Sequence, residues 1–231
     1  MKTYVIEPAI LYFGTPVVLV STLIPDGQTA NLAPISSAWW LGYGCMLGLT
    51  GSAHTAANLA RTGECVLNLP SVAQAPAVDR LARTTGAHPV PPDKAWLGFE
   101  HEADKWARSG LTAVESDLVG APRARQCPVQ LEAVVEEIRP FGANNPLVPT
   151  AVVAVELRVV RVHAHETILS DPAASRVDPD AWNPLLMSFR KFYGLSRQVH
   201  GSRLSEGADD GWRPAPLGAM PLPPPTRVTA A

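Results

Sequence analysis

Only three cysteines occur in this sequence, Cys45, Cys65 and Cys127, an odd number with no C-x-x-C spacing. Such a set builds neither a disulfide framework nor a zinc site, and it suits a reducing, cytoplasmic setting. Each thiol reads as a small buried hydrophobe. Neither sign of charge dominates: 19 Lys and Arg stand against 21 Asp and Glu, giving a net charge of −2 and a pI of about 6.3. A nucleic-acid partner, which a basic stripe would announce, is therefore not expected. Long apolar runs are missing too. Residues 17–24 are apolar, but they fall far short of the ~20 residues of a membrane span and are closed by Pro25-Asp26-Gly27, so no membrane partner is expected. The first ten residues hold one lysine and an early Glu7, which does not make a secretory signal. The hydrophobic fraction is nevertheless 46%, enough for a sizeable core.

What the chain does have is short β-branched runs punctuated by glycine and proline. Residues 17–24 read as a strand and Asp26-Gly27 as a hairpin turn. Residues 31–40 read as a second strand, in which Pro34 marks an edge or a bulge. Residues 45–50 form a third. Thr55 is placed as the N-cap of a two-turn helix over 56–62, closed by Gly63. Residues 64–69 are again strand. Residues 71–84 read as helical, with Pro76 near the first turn; 86–92 are loop, and a short helix surrounds Ala95. His101, Glu102, Asp104 and Lys105 read as a surface charge cluster.

Residues 127–140 and 151–169 are long strand candidates. On the second, Val153, Val155, Leu157 and Val159 share an apolar face that turns polar at Arg161, His163 and His165. The strand therefore leaves the core near residue 160, or a bulge there swaps its faces. Residues 180–195 read as an aromatic, partly helical segment. The sum is a mainly β, antiparallel protein with short inserted helices. Hairpin-tied strands with helices plugging the ends favour a barrel over a sandwich. One domain over residues 1–200 is expected, followed by a Gly/Pro-rich tail, 201–231, extended or laid as an arm on a partner.

Two stretches carry concentrated chemistry, 31–37 and 52–58. The second sits where a helix begins, so free backbone N–H groups and the positive end of the helix dipole meet there, which favours a phosphate. Ser52 and Thr55 offer hydroxyls, His54 a charge or hydrogen bond, and Gly51 close backbone approach. The plainer reading is that Thr55 caps the helix and the serines line an ordinary bulge. Trp39 and Trp40 are adjacent, so on a strand they point to opposite faces. One belongs to the core; the other is free for a cofactor, a substrate or a partner subunit. His163 and His165 share a strand face, but no third ligand lies nearby in sequence. They read as solvated strand-end histidines, and no metal is expected.

The series "TPVVLVSTLIPDGQTANLAPISSAWWLG", "GLTGSAHTAANLARTGECVLNLP", "LGFEHEADKWARSGLTAVESDLVGAPRARQCPVQLEAVV" and "WNPLLMSFRKFYGLS" resembles the flavin reductase-like, FMN-binding split-barrel family over residues 10–200. The resemblance implies a split β-barrel that forms a homodimer and binds FMN, in preference to FAD, without a covalent link. It assigns the backbone of Asn31, Ala33, Pro34 and Ile35 to the flavin ring, and Ser36 and Ser37 to the ribityl and phosphate end. Ser52, Ala53, His54 and Thr55 would take the phosphate, Asn58 would brace that loop, and Arg83 would reach in across the dimer. Trp39, Trp40, Tyr193 and His200 are the substrate-pocket candidates.

The implied activity is hydride transfer from NAD(P)H to flavin, with reduced flavin supplied to a partner monooxygenase. The alternative is a flavoprotein that keeps its FMN and either acts on a small organic substrate or carries electrons as flavoredoxins do. Neither reaction needs an acid–base triad, and none is evident; holding the ring and orienting a donor on its open face is sufficient.

Overall fold

The fold is that of a computed structural model, which describes residues 1–146, 151–171 and 175–203. Among the described residues, its framework is ten strands and four short helices, with six further strands of two or three residues in the connections. The strands are β1 (Phe13–Pro16), β2 (Val18–Leu23), β3 (Ala30–Ile35), β4 (Ala38–Leu41), β5 (Gly44–Thr50), β6 (Glu64–Leu69), β7 (Val129–Phe141), β8 (Val152–Ala164), β9 (Leu186–Ser188) and β10 (Lys191–Tyr193). The helices are α1 (His54–Thr62), α2 (Ala75–Asp79), α3 (Pro92–Trp96) and α4 (Lys105–Ser109).

Seven strands form one antiparallel sheet in the order β3-β2-β6-β7-β8-β5-β4. The two edge strands, β3 and β4, are consecutive in the chain and joined by Ser36 and Ser37 alone. The sheet must therefore roll until its own edges meet, and no ladder pairs them: it is a split barrel. The segment expected as one strand over 31–40 is thus two strands. Its serines are the corner, where the Gly48 N–H donates to the Ser37 carbonyl at 2.8 Å. Pro34 sits on the edge strand, where a missing N–H costs least. Its register with β2 is unbroken, so the edge reading holds and the bulge reading does not.

β2 explains the unbroken apolar run at its position in the sequence. Val18 and Val20 enter the main core with Leu47, Leu59, Leu67, Leu131 and Leu157. Val17 and Leu19 face the other way, into a second cluster with Leu32, Val78, Leu81 and Leu185. Both faces are covered, so alternation disappears. The second cover comes from α2, from Trp106 on α4, and from the β9–β10 hairpin, which carries Met187 and Phe192. That hairpin lies in the segment expected to be partly helical. Phe189 and Arg190 turn it with φ of 45° and 66°, and β9 pairs with β1.

The swap of faces on β8 is a bulge at residue 160. Glu132 pairs with Arg161 while its neighbour Ala133 pairs with Val159, leaving Val160 as the extra residue. Val159 stays in the main core and Val160 turns into a third cluster with Val66, Val119 and Ala121. The helix expected over 71–84 is broken into short pieces. Ser71 and Gln74 form a capping box on a single turn, and Pro76 then opens α2. The expected tail lies, from residue 204 onward, outside the described residues.

Candidate functional site

The helix α1 starts two residues earlier than its sequence signals imply. Ala53 is the N-cap and makes no side-chain cap; its N–H donates to the Thr50 carbonyl at 2.9 Å. Thr55 is therefore inside the first turn. Its hydroxyl faces inward and accepts from Asn31 Nδ2 at 3.3 Å, which is why it does not cap. Asn58, also buried, donates to Thr22 Oγ1 at 3.0 Å. It braces the helix on β2, not the loop before it. Gly63 closes the helix in the left-handed region, as its sequence position implies.

Around the start of α1 a cup forms from five segments. Ser52 and His54 supply one side and Asn31 the floor. A loop after α2 presses in at Gly86, where a Cβ would stand 2.8 Å from Asn31 Oδ1 and 2.9 Å from His54 Cδ2. Only glycine fits so close an approach. His101 Nδ1 bonds the Ala87 carbonyl of this loop at 3.2 Å, and Lys105 Nζ reaches the Thr84 carbonyl at 3.4 Å. From α3, Asp93 Oδ2 accepts the Ser52 hydroxyl at 2.6 Å. Asn31 is 5% exposed, yet among the described residues its Oδ1 has no hydrogen-bond partner. An orphaned buried acceptor is costly, and a ligand hydroxyl would satisfy it.

The electrostatics of the cup point the same way. Burial, then the charges of Lys105, Lys94, His101 and Arg61, hold the His54 imidazole below its ordinary pKa. Burial and Lys94 push the Lys105 ammonium down to about 8, with Glu102 opposing. Burial also lowers Lys94, and Asp93 opposes that shift. Cations crowded out of water in this way repel one another, and an anion among them would relieve that repulsion. The donor set and the orphaned acceptor beside it fit a phosphorylated polyol such as the ribityl phosphate of FMN.

The sequence pointed to Ser52, Ala53, His54, Thr55 and Asn31, and the structure brings these together. It did not point to Gly86, Asp93, Lys94, His101 or Lys105. Lys105 was expected at the surface and is 3% exposed; its helix packs that side chain inward against the loop. One signal was available. The chain has only four lysines, and Lys94 and Lys105 are two of them.

Ala33, Pro34, Ile35, Ser36 and Ser37 line the split on the edge strand and its corner, all half-buried. Ser37 Oγ shares a hydrogen bond with the Tyr12 hydroxyl at 2.9 Å. The tryptophans divide as adjacency requires. Trp40 packs on the main core, its Nε1 buried and without a hydrogen-bond partner among the described residues, and Trp39 is 58% exposed. Arg83 is exposed at a left-handed φ of 54° on the loop leading to Gly86. Tyr193 pairs with Leu186, and His200 bonds the Gly201 carbonyl. Among the described residues neither shares a hydrogen bond or ion pair with the cup.

The histidine pair also separates. His163 is not simply solvated: its Nε2 bonds Glu132 Oε1 at 2.6 Å. The Glu132 side chain is fully buried and also accepts the N–H groups of Asp117 and Leu118, at 2.9 and 2.6 Å. Asp117 Oδ2 lies 4.0 Å from His163. Three potential ligands thus cluster here. The carboxylate is already taken by those donors, however, and the group serves as a clamp on the 117–118 loop. His165 lies past the strand end and bonds Thr167.

Comparison with known proteins gives a consistent picture. The family model described as "Flavin reductase like domain" matches residues 10–196. An uncharacterised protein of Bacillus subtilis strain 168, YdfE, is 36% identical over 201 residues, covering 87% of this chain and 93% of that protein. Among solved structures, flavoredoxin of Desulfovibrio vulgaris (Miyazaki F) superposes with a TM-score of 0.70 at 18% identity, covering 90% of this chain and all of that one. Nitrilotriacetate monooxygenase component B from Bacillus cereus gives a TM-score of 0.67 at 19% identity, covering 87% and 99%.

Proposed function

This chain belongs to the flavin reductase-like, FMN-binding split-barrel family, and on that premise we propose that it is an NAD(P)H-dependent flavin reductase that supplies reduced flavin to a partner monooxygenase. The observation that carries the reading is the cation-lined cup at the start of α1, with the orphaned Asn31 acceptor at its floor. Bound FMN would supply a two-electron acceptor for hydride from a nicotinamide. Lys105, Lys94, His54 and Ser52 would hold its phosphate, and Asn31 would accept a ribityl hydroxyl. The outer edge of β3 has no strand partner among the described residues, so its backbone is available to the ring. The likeness to a monooxygenase component B supports a partner enzyme of that class.

The protein acts as a homodimer in this reading. Trp39, Leu41, Phe13 and Phe189 are large apolar side chains left exposed on β4, β1 and the hairpin that pairs with β1, and a second copy covering them would remove them from water. The three buried free cysteines fit a cytoplasmic location.

A second reading is favoured by the likeness to flavoredoxin: the FMN stays bound and carries electrons, or acts on a small substrate. One experiment separates the two. The absorption spectrum is recorded as purified, with added FMN, and after anaerobic NADH or NADPH. Bleaching of exchangeable flavin at catalytic rates supports the reductase. Tight FMN with negligible nicotinamide turnover transfers support to the second reading. No binding at high micromolar FMN sinks both.

A further inference from the structure

Ser52, the hydroxyl best placed to serve an anion in the cup, is already engaged. It donates to Asp93 Oδ2 at 2.6 Å, inside the range of charge-assisted bonds. Asp93 comes from α3, 41 residues further along the chain. Its carboxylate is thus brought to the cation set that the cup gathers, and it opposes the burial-driven loss of charge on Lys94. A carboxylate and a phosphate monoester offer the same chemistry, anionic oxygens that only accept. Ser52 has one proton to give, and two anions at contact distance repel.

We propose that Asp93 is an internal competitor for the flavin phosphate: in the flavin-free protein its carboxylate holds Ser52, and it must let go before the phosphate is bound. The inference rests on the FMN reading above and adds a control to it. The competition falls on the phosphate alone, so it weakens FMN without touching riboflavin. It also keeps FMN exchangeable, which a protein that hands flavin to another enzyme requires. α3 is suited to yielding. It has five residues, none of them buried, and its Trp96 is 85% exposed, so little packing resists a shift.

The test uses the full chain with Asp93→Asn and Asp93→Ala, and measures dissociation constants for FMN and riboflavin and the competition by inorganic phosphate. Both variants should bind FMN roughly tenfold more tightly, the counterpart of about 1.4 kcal/mol. Inorganic phosphate should compete better, and riboflavin should stay within about twofold. Unchanged or weaker FMN binding by variants that melt like the wild type overturns the inference, as does an equal gain for riboflavin. If wild type and variants alike bind neither flavin, the FMN reading itself falls. If all bind FMN equally, that reading stands and only the competition is lost.

Discussion

Replacing Lys105 by methionine should make the flavin-free protein more stable and a poorer FMN binder. The Lys105 ammonium is 3% exposed and pushed from an ordinary 10.5 down to about 8 by burial and by Lys94. At 1.36 kcal/mol per pH unit, that gap is a cost to the fold of about 3 kcal/mol at neutral pH. Its sign follows from linkage. Below about 8 both folded and unfolded chains carry the charge, and the cost is fully present. Between about 8 and 10.5 the unfolded chain binds a proton that the folded chain has lost, so stability rises with pH. Above that range the lysine contributes nothing.

Methionine fills the aliphatic volume without the charge, but leaves the Thr84 carbonyl without the Lys105 donor, a loss of about 1 kcal/mol. The variant should therefore gain about 2 kcal/mol at pH 7. The gain should shrink across pH 8–10 and change sign above it. Cys45 and Cys127, whose thiols burial pushes up to about 12, weaken wild type and variant alike above about pH 9. The quantity to follow is thus the difference between the two proteins, from urea unfolding read by tryptophan fluorescence at each pH. FMN affinity should fall more than riboflavin affinity. A variant less stable than wild type at pH 7, or a difference that does not depend on pH, refutes the reasoning.

Three further expectations test other parts of the molecule. Gly86→Ala places a Cβ 2.8 Å from Asn31 Oδ1; calorimetry should show a loss of about 1–3 kcal/mol, with weaker binding of FMN and riboflavin together. In Glu132, burial pushes the carboxyl up, but the N–H of Asp117, His163 and the N–H of Leu118 outweigh it and hold the pKa below the ordinary 4.5. Its contribution is then fully present above about 4.5 and lost as pH falls through the lower folded value. Glu132→Gln should cost about 2–4 kcal/mol near neutrality and flatten the acid limb of the stability profile; an unchanged acid limb would contradict the clamp. Trp39→Glu should convert a dimer to a monomer in light scattering with little change in melting temperature, because the side chain is exposed within the protomer. A dimer that survives this change would place the interface elsewhere.

Much of this protein was legible in residue order. The strand runs at 17–24, 45–50 and 64–69, the Asp26-Gly27 turn and the Gly63 helix stop rest on local sterics and period, which the chain carries with it. So does the conflict of faces near residue 160. A period-2 pattern that changes sides requires either an exit from the core or an extra residue, and the structure supplies the extra residue, Val160. Ser52 and His54 drew notice in the sequence because small polar side chains cluster there at a helix start, with capping as the plainer reading, and Asn31 through its own polar stretch and the family resemblance. Tertiary structure alone decided the rest. The division of 31–40 at Ser36-Ser37 exists because the sheet rolls until its edges meet. The hairpin at 186–193 forms because it can pair with β1 and cover the outer face of β2. Thr55 turned inward because Asn31, on another strand, was there to meet it. The burial of Lys105, the approach of Gly86 and the grip of Asp93 on Ser52 join segments far apart in sequence. No local pattern encodes such contacts, because their energy comes from desolvation and charge shared among segments that meet only once the barrel has closed.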